Sequence, residues 1–236
     1  MAAAETSPRL KARLAGFFYL TTGGTAFAEA IHSNVVDHTS AAVTAHNILS
    51  AQALYRFAFA ADLAGVASYL VVTALLYGLL RPVSRTMSLL AAFFGLVGVA
   101  VQAVAATGYF APLLILGGAP YLSAFTTAQL QAAALFALDL YAQGFLIALV
   151  FFGCYCVLLG YLIFRSSFLP RAIGVLMVIA GLALLLNSVL TFVAPAIAHH
   201  LMIFTLGLDG IGELSLMLWL LVVGVNVPKW EALARG

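Results

Sequence analysis

Asp209 and Glu213 stand four residues apart in a stretch that is otherwise almost wholly apolar. On a helix that spacing puts both carboxylates on one face. Such a pair is chemically a place to hold a proton, a metal ion or another small cation. The same rule groups Asp139 with Gln143, also four apart, and Glu29 with His32, three apart. Glu29, Asp62, Asp139, Asp209 and Glu213 are five acids facing one fixed positive charge, Arg56, in or beside apolar segments. In a partly desolvated region they cannot all be bare anions. Some hold a proton, or an imidazolium, a metal or another cation fills the deficit. Gln102 and Asn187 add neutral polar groups at similar depth. In this reading Glu213 exchanges the proton or holds the cation and Asp209 is its same-face partner. Asp62 with Arg56 then forms a gate or counter-ion. The structural alternative pairs Arg56 with Asp62 or a neighbour and leaves the other acids bonded to backbone or interfacial water.

A divalent metal is a second chemistry to weigh, with Glu29, His32, His199 and His200 as its ligands. Imidazole and carboxylate together suit zinc or iron. Yet His199 and His200 are adjacent, and helix neighbours do not share a face. Glu29-Ala30-Ile31-His32 matches the Glu-x-x-His element of di-iron bundles, which need two copies and two further carboxylates; the chain has one copy. Loop histidines that titrate freely are the simpler reading. A Gly-rich phosphate loop, His-Glu-x-x-His, Gly-x-Ser-x-Gly and Cys-x-x-Cys are all absent from the sequence. Ser, His and Asp partners need only meet in space, so a serine nucleophile stays open and enzyme activity is undecided.

The elements that must position these groups follow from composition. Hydrophobic residues make up 64% of 236 positions and charged residues 8%, against about 25% charge in a soluble domain. Crossing a hydrocarbon layer takes about 20 apolar residues as helix, and six segments qualify: 14–31, 57–80, 87–110, 141–164, 173–193 and 201–225. Lipid offers backbone groups no partners, so an all-α integral membrane bundle of six helices is expected, as one polytopic domain over residues 1–236. Nine of the ten Lys and Arg fall on one side of these crossings: Arg9, Lys11, Arg13, Arg81, Arg85, Arg165, Arg171, Lys229 and Arg235. Only Arg56 lies opposite. Basic loops mark the cytoplasmic face, which places the chain in the cell (inner) membrane with both termini inside. No basic stripe with interleaved aromatics is present, so nucleic acid is not a partner. Trp230 beside Lys229 reads as an interfacial anchor.

Segment one has a competing reading. Arg9, Lys11 and Arg13, a short apolar run and Ala26-Phe27-Ala28 fit a cleaved signal peptide, and cleavage would leave five helices. Thr21-Thr22-Gly23-Gly24-Thr25 dilutes the apolar core and favours a retained helix. Cys154 and Cys156, two apart, point to different faces and read as buried thiols, with no disulfide implied.

The spacing also predicts a parallel duplication of helical hairpins, segments two and three recurring as four and five. Arg81 recurs as Arg165, Gln102 as Asn187, Pro112 as Pro195 and Thr44-Ala45 as Thr127-Ala128, at offsets of 83 to 85. Asp62 finds a polar counterpart in Gln143. Each repeat opens with an outer lead-in, 32–56 and 117–140, whose helix-compatible parts lie along the surface or extend the next helix. At 1.5 Å per residue Glu29 and Gln102 stand ~22 Å from the cytoplasmic end of their helices. Glu213 stands ~18 Å from the outer end of its own. The polar groups thus gather in the outer half.

Several stretches carry a resemblance. Arg13-Leu14-Ala15-Gly16-Phe17-Phe18-Tyr19-Leu20, Thr44-Ala45-His46-Asn47-Ile48, 75–82, Arg165-Ser166-Ser167-Phe168-Leu169-Pro170-Arg171-Ala172-Ile173-Gly174, and Gly212-Glu213 through Trp219-Leu220 together resemble a bacterial membrane family. That family is designated a domain of unknown function, number four-three-eight-six. The resemblance spans nearly the whole chain and implies a six-helix integral membrane domain. It supplies no chemistry, though Arg56, Asp62, Pro170 and Glu213 fall where the family pattern is polar or fixed.

Three functions follow as expectations. The first is an outward-opening, carboxylate-rich pocket that takes a small polar or cationic ligand or metal, for sensing or membrane-embedded chemistry. The second is a proton- or cation-coupled transporter, for which the inner half offers only Thr73, Ser88 and Ser215. The third is a structural or assembly subunit in which every carboxylate is already paired with protein. The lipid bilayer is the partner common to all three.

Overall fold

The computed structural model describes residues 7–235, the side chain of His199 apart. The described residues are helical throughout, with no strand. In chain order the helices are α1 (Pro8–Thr21), α2 (Gly23–Val35), α3 (Ala41–Ser50), α4 (Gln52–Leu80), α5 (Arg85–Ile115), α6 (Thr127–Arg165), α7 (Arg171–Val193), α8 (Pro195–Val222) and α9 (Val227–Ala234). A short 3-10 turn, Pro120–Ala124, precedes α6. Among the described residues five helical stretches are long and apolar enough to cross a membrane: α4, α5, α6, α7 and His200–Val222 of α8. This is the composition of a helical membrane protein.

The first expected span, 14–31, is not one helix. It divides at Thr22 into α1 and α2 of 14 and 13 residues, each too short to cross alone. The physical reason lies in Thr21-Thr22-Gly23-Gly24-Thr25, where consecutive glycines and β-branched threonines weaken helix propagation. The lead-in before α6 goes the other way: Thr127 onward joins the expected fourth span in a continuous 39-residue helix. The lead-in before α4 splits at Ala51 and gives the separate helix α3, whose N-cap Ser40 accepts from Val43 N at 3.3 Å. Between α2 and α3, the Asp37 carboxylate accepts from Thr39 Oγ1 at 2.6 Å and Thr39 N at 2.8 Å. Those bonds hold its carboxyl below the usual range.

The chain forms two compact units. The first comprises the described residues through Leu20, Ser68–Val99 and the described residues from Ile147 on. Its core gathers Tyr19, Val72, Leu76, Leu79, Tyr155, Leu159, Leu162, Met177, Leu216 and Leu220. α6 and α7 meet there backbone to backbone. A Cβ on Gly160 would lie 2.6 Å from the Gly174 carbonyl oxygen, and one on Gly181 would lie 2.5 Å from that of Gly153. Without a hydrophobic driving force between helices in lipid, such close approach is how they gain contact. Trp230 does not stand free as an interfacial anchor: its ring packs on this core and its Nε1 donates to Leu79 O at 2.8 Å.

The second unit comprises Thr21–Ala67 and Ala100–Leu146. Its core is built on Ala28, Ile48, Tyr55, Ala58, Tyr109, Leu113, Leu138 and Tyr141. Tyr55 stacks on Tyr109 at 4.6 Å and donates its hydroxyl to Tyr109 O at 2.6 Å. The Tyr109 hydroxyl reaches Ala28 O at 3.3 Å. Burying aromatic rings while giving each hydroxyl a backbone acceptor is the condition on which tyrosine serves as core.

Candidate functional site

The first unit holds the Asp209–Glu213 pair. Both sit on α8 one turn apart, as their spacing requires. Tyr69 of α4 donates its hydroxyl to Glu213 Oε1 at 3.1 Å, and Cys156 of α6 places its Sγ 3.7 Å from the same oxygen. Tyr19 of α1 joins them: it interacts with Glu213, and its ring meets Tyr69 edge-on at 5.7 Å. Phe152 at 4.8 Å and Tyr155 at 6.0 Å enclose the Tyr69 ring further. Asp209 Oδ1 is buried without a hydrogen-bond partner, and Glu213 is the charge that acts on it. Among the described residues the ion pairs are His38–Asp139 and Arg235–Glu231. Neither α8 carboxylate therefore has a cationic partner there. Two acids within one helical turn, met by neutral donors alone, are arranged to share a proton or to take up a cation.

The second unit holds a different set. Glu29 of α2 accepts from the Tyr141 hydroxyl of α6 at 3.0 Å. Asp62 of α4 has no exposed surface. Thr25 of α2 and Gln102 of α5 are the polar side chains that interact with its carboxylate. The expected Arg56–Asp62 pairing is not formed. Arg56 is exposed and makes no ion pair among the described residues. Six residues on a helix turn through about 600°, which sends the two side chains to different faces.

His32 is buried against Tyr141 at 5.2 Å and Tyr109 at 5.9 Å, its Nδ1 unpartnered. It lies beyond the expected first span. Burial pushes its imidazole down to about 4, with His38 adding to the effect and Asp139 opposing it. Asp139 does not enter the buried set. It pairs with His38 Nδ1 at 3.3 Å on side chains that are 49% and 67% exposed. Gln143 is exposed, so its expected place in the pocket is not realised. Asn187 is buried in the first unit, where its Oδ1 accepts from Thr205 Oγ1 at 3.3 Å and joins α7 to α8.

Among the described residues no three His, Cys, Asp or Glu side chains form a metal-holding group. Of the four residues weighed as ligands, Glu29 bonds to Tyr141 and His32 lies among aromatic rings. His200 Nδ1 contacts Ala196 O at 2.7 Å, and the side chain of His199 lies outside the described residues. A groove of about 670 Å³ runs between α5 and α6, lined by residues such as Val101, Val104, Ala105, Gly108 and Leu140. Its apolar walls touch the acid chemistry only through Tyr141, so the carboxylates rather than the groove define the candidate site.

The sequence marks Cys156 only as a buried thiol and does not single out Tyr69 or Tyr141. A signal for the tyrosines was present. Tyr55 and Tyr69 are 14 apart, as are Tyr141 and Tyr155. Fourteen residues are nearly four helical turns, so each pair shares a face.

A protein-family model described as "Domain of unknown function (DUF4386)" matches residues 14–224. The chain belongs to this family. The matched segment contains the buried Asp62 and the half-buried Glu29, Asp209 and Glu213. A curated relative, an "Uncharacterized protein" of Archaeoglobus fulgidus, is 28% identical over 158 residues, covering 67% of this chain and 78% of its own. No solved structure matches.

Proposed function

We propose that this DUF4386 member is a multi-pass protein of the cell (inner) membrane that binds a small cationic ligand, proton included, at the Asp209–Glu213 pair, for sensing or for membrane-embedded chemistry. The observation that carries the reading is Glu213 itself: hydrogen-bonded by Tyr69 and Cys156, both neutral, with a second carboxylate one turn away and no cation paired to either among the described residues. Charge balance then demands a proton or a positively charged ligand. In this reading residues 14–31, shared between α1 and α2, supply a sixth crossing, both termini are cytoplasmic, and the pocket opens outward. The basic residues that flank the crossings support that orientation.

A duplicated hairpin is part of the proposal. Tyr55 and Tyr69 of α4 recur as Tyr141 and Tyr155 of α6, both at an offset of 86, which adds two positions to the pattern of Arg81 and Arg165. The second reading, a proton- or cation-coupled transporter, draws support from the half-buried Glu29 and buried Asp62 of the second unit, since coupled transport uses more than one protonatable station. A purely structural subunit would have every carboxylate paired, and the unpartnered Oδ1 of Asp209 speaks against it.

Thermal unfolding of detergent-purified protein, titrated with ammonium, calcium and magnesium chlorides and with acid, tests the proposal. Wild type is expected to show a saturable cation-dependent stabilisation, read at fixed pH above the range in which His32 takes up a proton, that Glu213→Gln removes and that acid weakens by competing for the same carboxylates. Superimposable titrations of wild type and Glu213→Gln would reject it. Acidification of proteoliposomes driven by a cation gradient, lost in the same variant, would select the transporter.

A further inference from the structure

Positive charge is divided unequally between the two units. Nine of the ten Lys and Arg belong to the first, and the second holds Arg56. Within the first unit they fall on four segments: the start of α1, the turn from α4 to α5, the turn from α6 to α7, and α9. Those segments meet. Trp230 of α9 donates its Nε1 to Leu79 O, near the end of α4, at 2.8 Å. Asn226 N, at the head of α9, donates to Phe168 O in the α6–α7 turn at 3.2 Å. Gly224, between α8 and α9, closes on α1: a Cβ there would lie 3.5 Å from Arg9 Cγ. Ala12, Leu79, Val83, Phe168, Val225 and Trp230 all belong to or pack on one apolar cluster. The basic segments are thus tied into a single end of the unit.

At that end the positive charge is nearly unopposed. Arg9, Arg81, Arg165, Arg171 and Lys229 are exposed, and none forms an ion pair among the described residues. Glu231 is the one acid there among the described residues, and it meets Arg235 at 3.9 Å on exposed side chains. Asp209 and Glu213 stand about 13 Å or more back along α8. Arg171 lies over the Phe164 ring at 5.7 Å, which holds its guanidinium beside the end of α6.

We propose that this end of the first unit is a binding surface for the headgroups of anionic phospholipids. Three helices of membrane-crossing length, α4, α6 and α8, finish here, so the basic rim stands where acyl chains give way to phosphates. Exposed apolar side chains adjoin the charges: Leu10 next to Arg9, Phe164 next to Arg165, and Val223 at the end of α8. A soluble polyanion would gain nothing from those neighbours, whereas a lipid presents a chain to them and a phosphate to the arginines. Arginine meets phosphate with paired donors. A zwitterionic headgroup carries its own ammonium beside the phosphate and is attracted less. Each Lys or Arg near such a leaflet adds to the binding, and the attraction fades within a Debye length.

The surface is independent of the Asp209–Glu213 proposal, because no residue is shared. Trp230 reports on it directly, and Trp219→Phe leaves Trp230 as the single tryptophan. The full chain is reconstituted in phosphatidylcholine bilayers and titrated with chain-brominated phosphatidylglycerol, with brominated phosphatidylcholine as the reference quencher. The anionic lipid is expected to quench Trp230 at a lower mole fraction, and added salt to shrink that preference. Arg171→Gln and Lys229→Gln should each weaken the preference by about fivefold, the contribution of one basic side chain at a charged leaflet. Arg56→Gln, in the second unit, should leave it unchanged. Should Trp219→Phe fail to fold, the emission of the two-tryptophan protein carries the same comparison. Equal quenching by the two lipids, an unshifted preference in Arg171→Gln and Lys229→Gln, or an equal loss in Arg56→Gln would overturn the proposal.

Discussion

The two carboxylate sets solve the same problem in opposite ways. In the first unit both acids sit on one helix, and Glu213 receives neutral donors from α4 and α6. In the second the acids sit on separate helices. Glu29 accepts from Tyr141, while Asp62 meets Thr25 and Gln102. Hydrogen bonds from neutral groups spread the charge of Glu213 without cancelling it, which is the basis of the exchange proposed above. Asp62 is wholly buried and meets two neutral polar side chains, Thr25 and Gln102. The lesson is that burial alone does not make a site. The number and polarity of the groups that meet the carboxylate decide its chemistry.

The largest expected difference between the two sets is acid sensitivity. His32 belongs to the second unit only, and burial holds its imidazole at about 4 against an ordinary 6.5. Between those values the unfolded chain binds a proton that the folded chain refuses. Stability is therefore intact above about 6.5 and falls as pH drops toward about 4, by up to about 3 kcal/mol at 1.36 kcal/mol per pH unit. Thermal unfolding across this range should show the slope in wild type and a flatter one in His32→Phe. An unchanged slope would detach His32 from the contrast.

The tyrosine donors come next. Tyr141→Phe leaves Glu29 Oε2 without its donor and should cost about 1 to 3 kcal/mol, the penalty of an unsatisfied acceptor. Tyr69→Phe leaves Cys156 and Tyr19 beside Glu213 and should cost less, about 0.5 to 1.5 kcal/mol. Chemical denaturation of the two variants in matched detergent measures the ordering, and a larger loss for Tyr69→Phe would reverse the comparison. The smallest effect is expected at the surface: His38→Ala removes an exposed ion pair with Asp139 and should change stability by less than about 1 kcal/mol.

Much of this was legible in the sequence. Apolar length located α4 to α8, because lipid leaves helices as the economical way to satisfy the backbone, and helical spacing put Asp209 and Glu213 together. What spacing could not provide was which helices face one another. Arg56 and Asp62 are close in sequence and of opposite charge, yet the helical turn between them separates their side chains. Gln143 is four residues from Asp139, and both stand at the exposed side, as the expected shared face allowed but did not require. The five acids divide between two units, a tertiary fact that depends on packing such as Gly16, whose added Cβ would lie 2.5 Å from Leu221 N. The tyrosine pairs spaced by 14 residues were the readable clue to the donors.

The most direct test follows the carboxyl stretching bands by infrared difference spectroscopy while protons and small cations are titrated onto the purified protein. The account predicts a carboxyl response in wild type that is lost in Glu213→Gln and altered in Asp209→Asn. The same response in wild type and Glu213→Gln would contradict it.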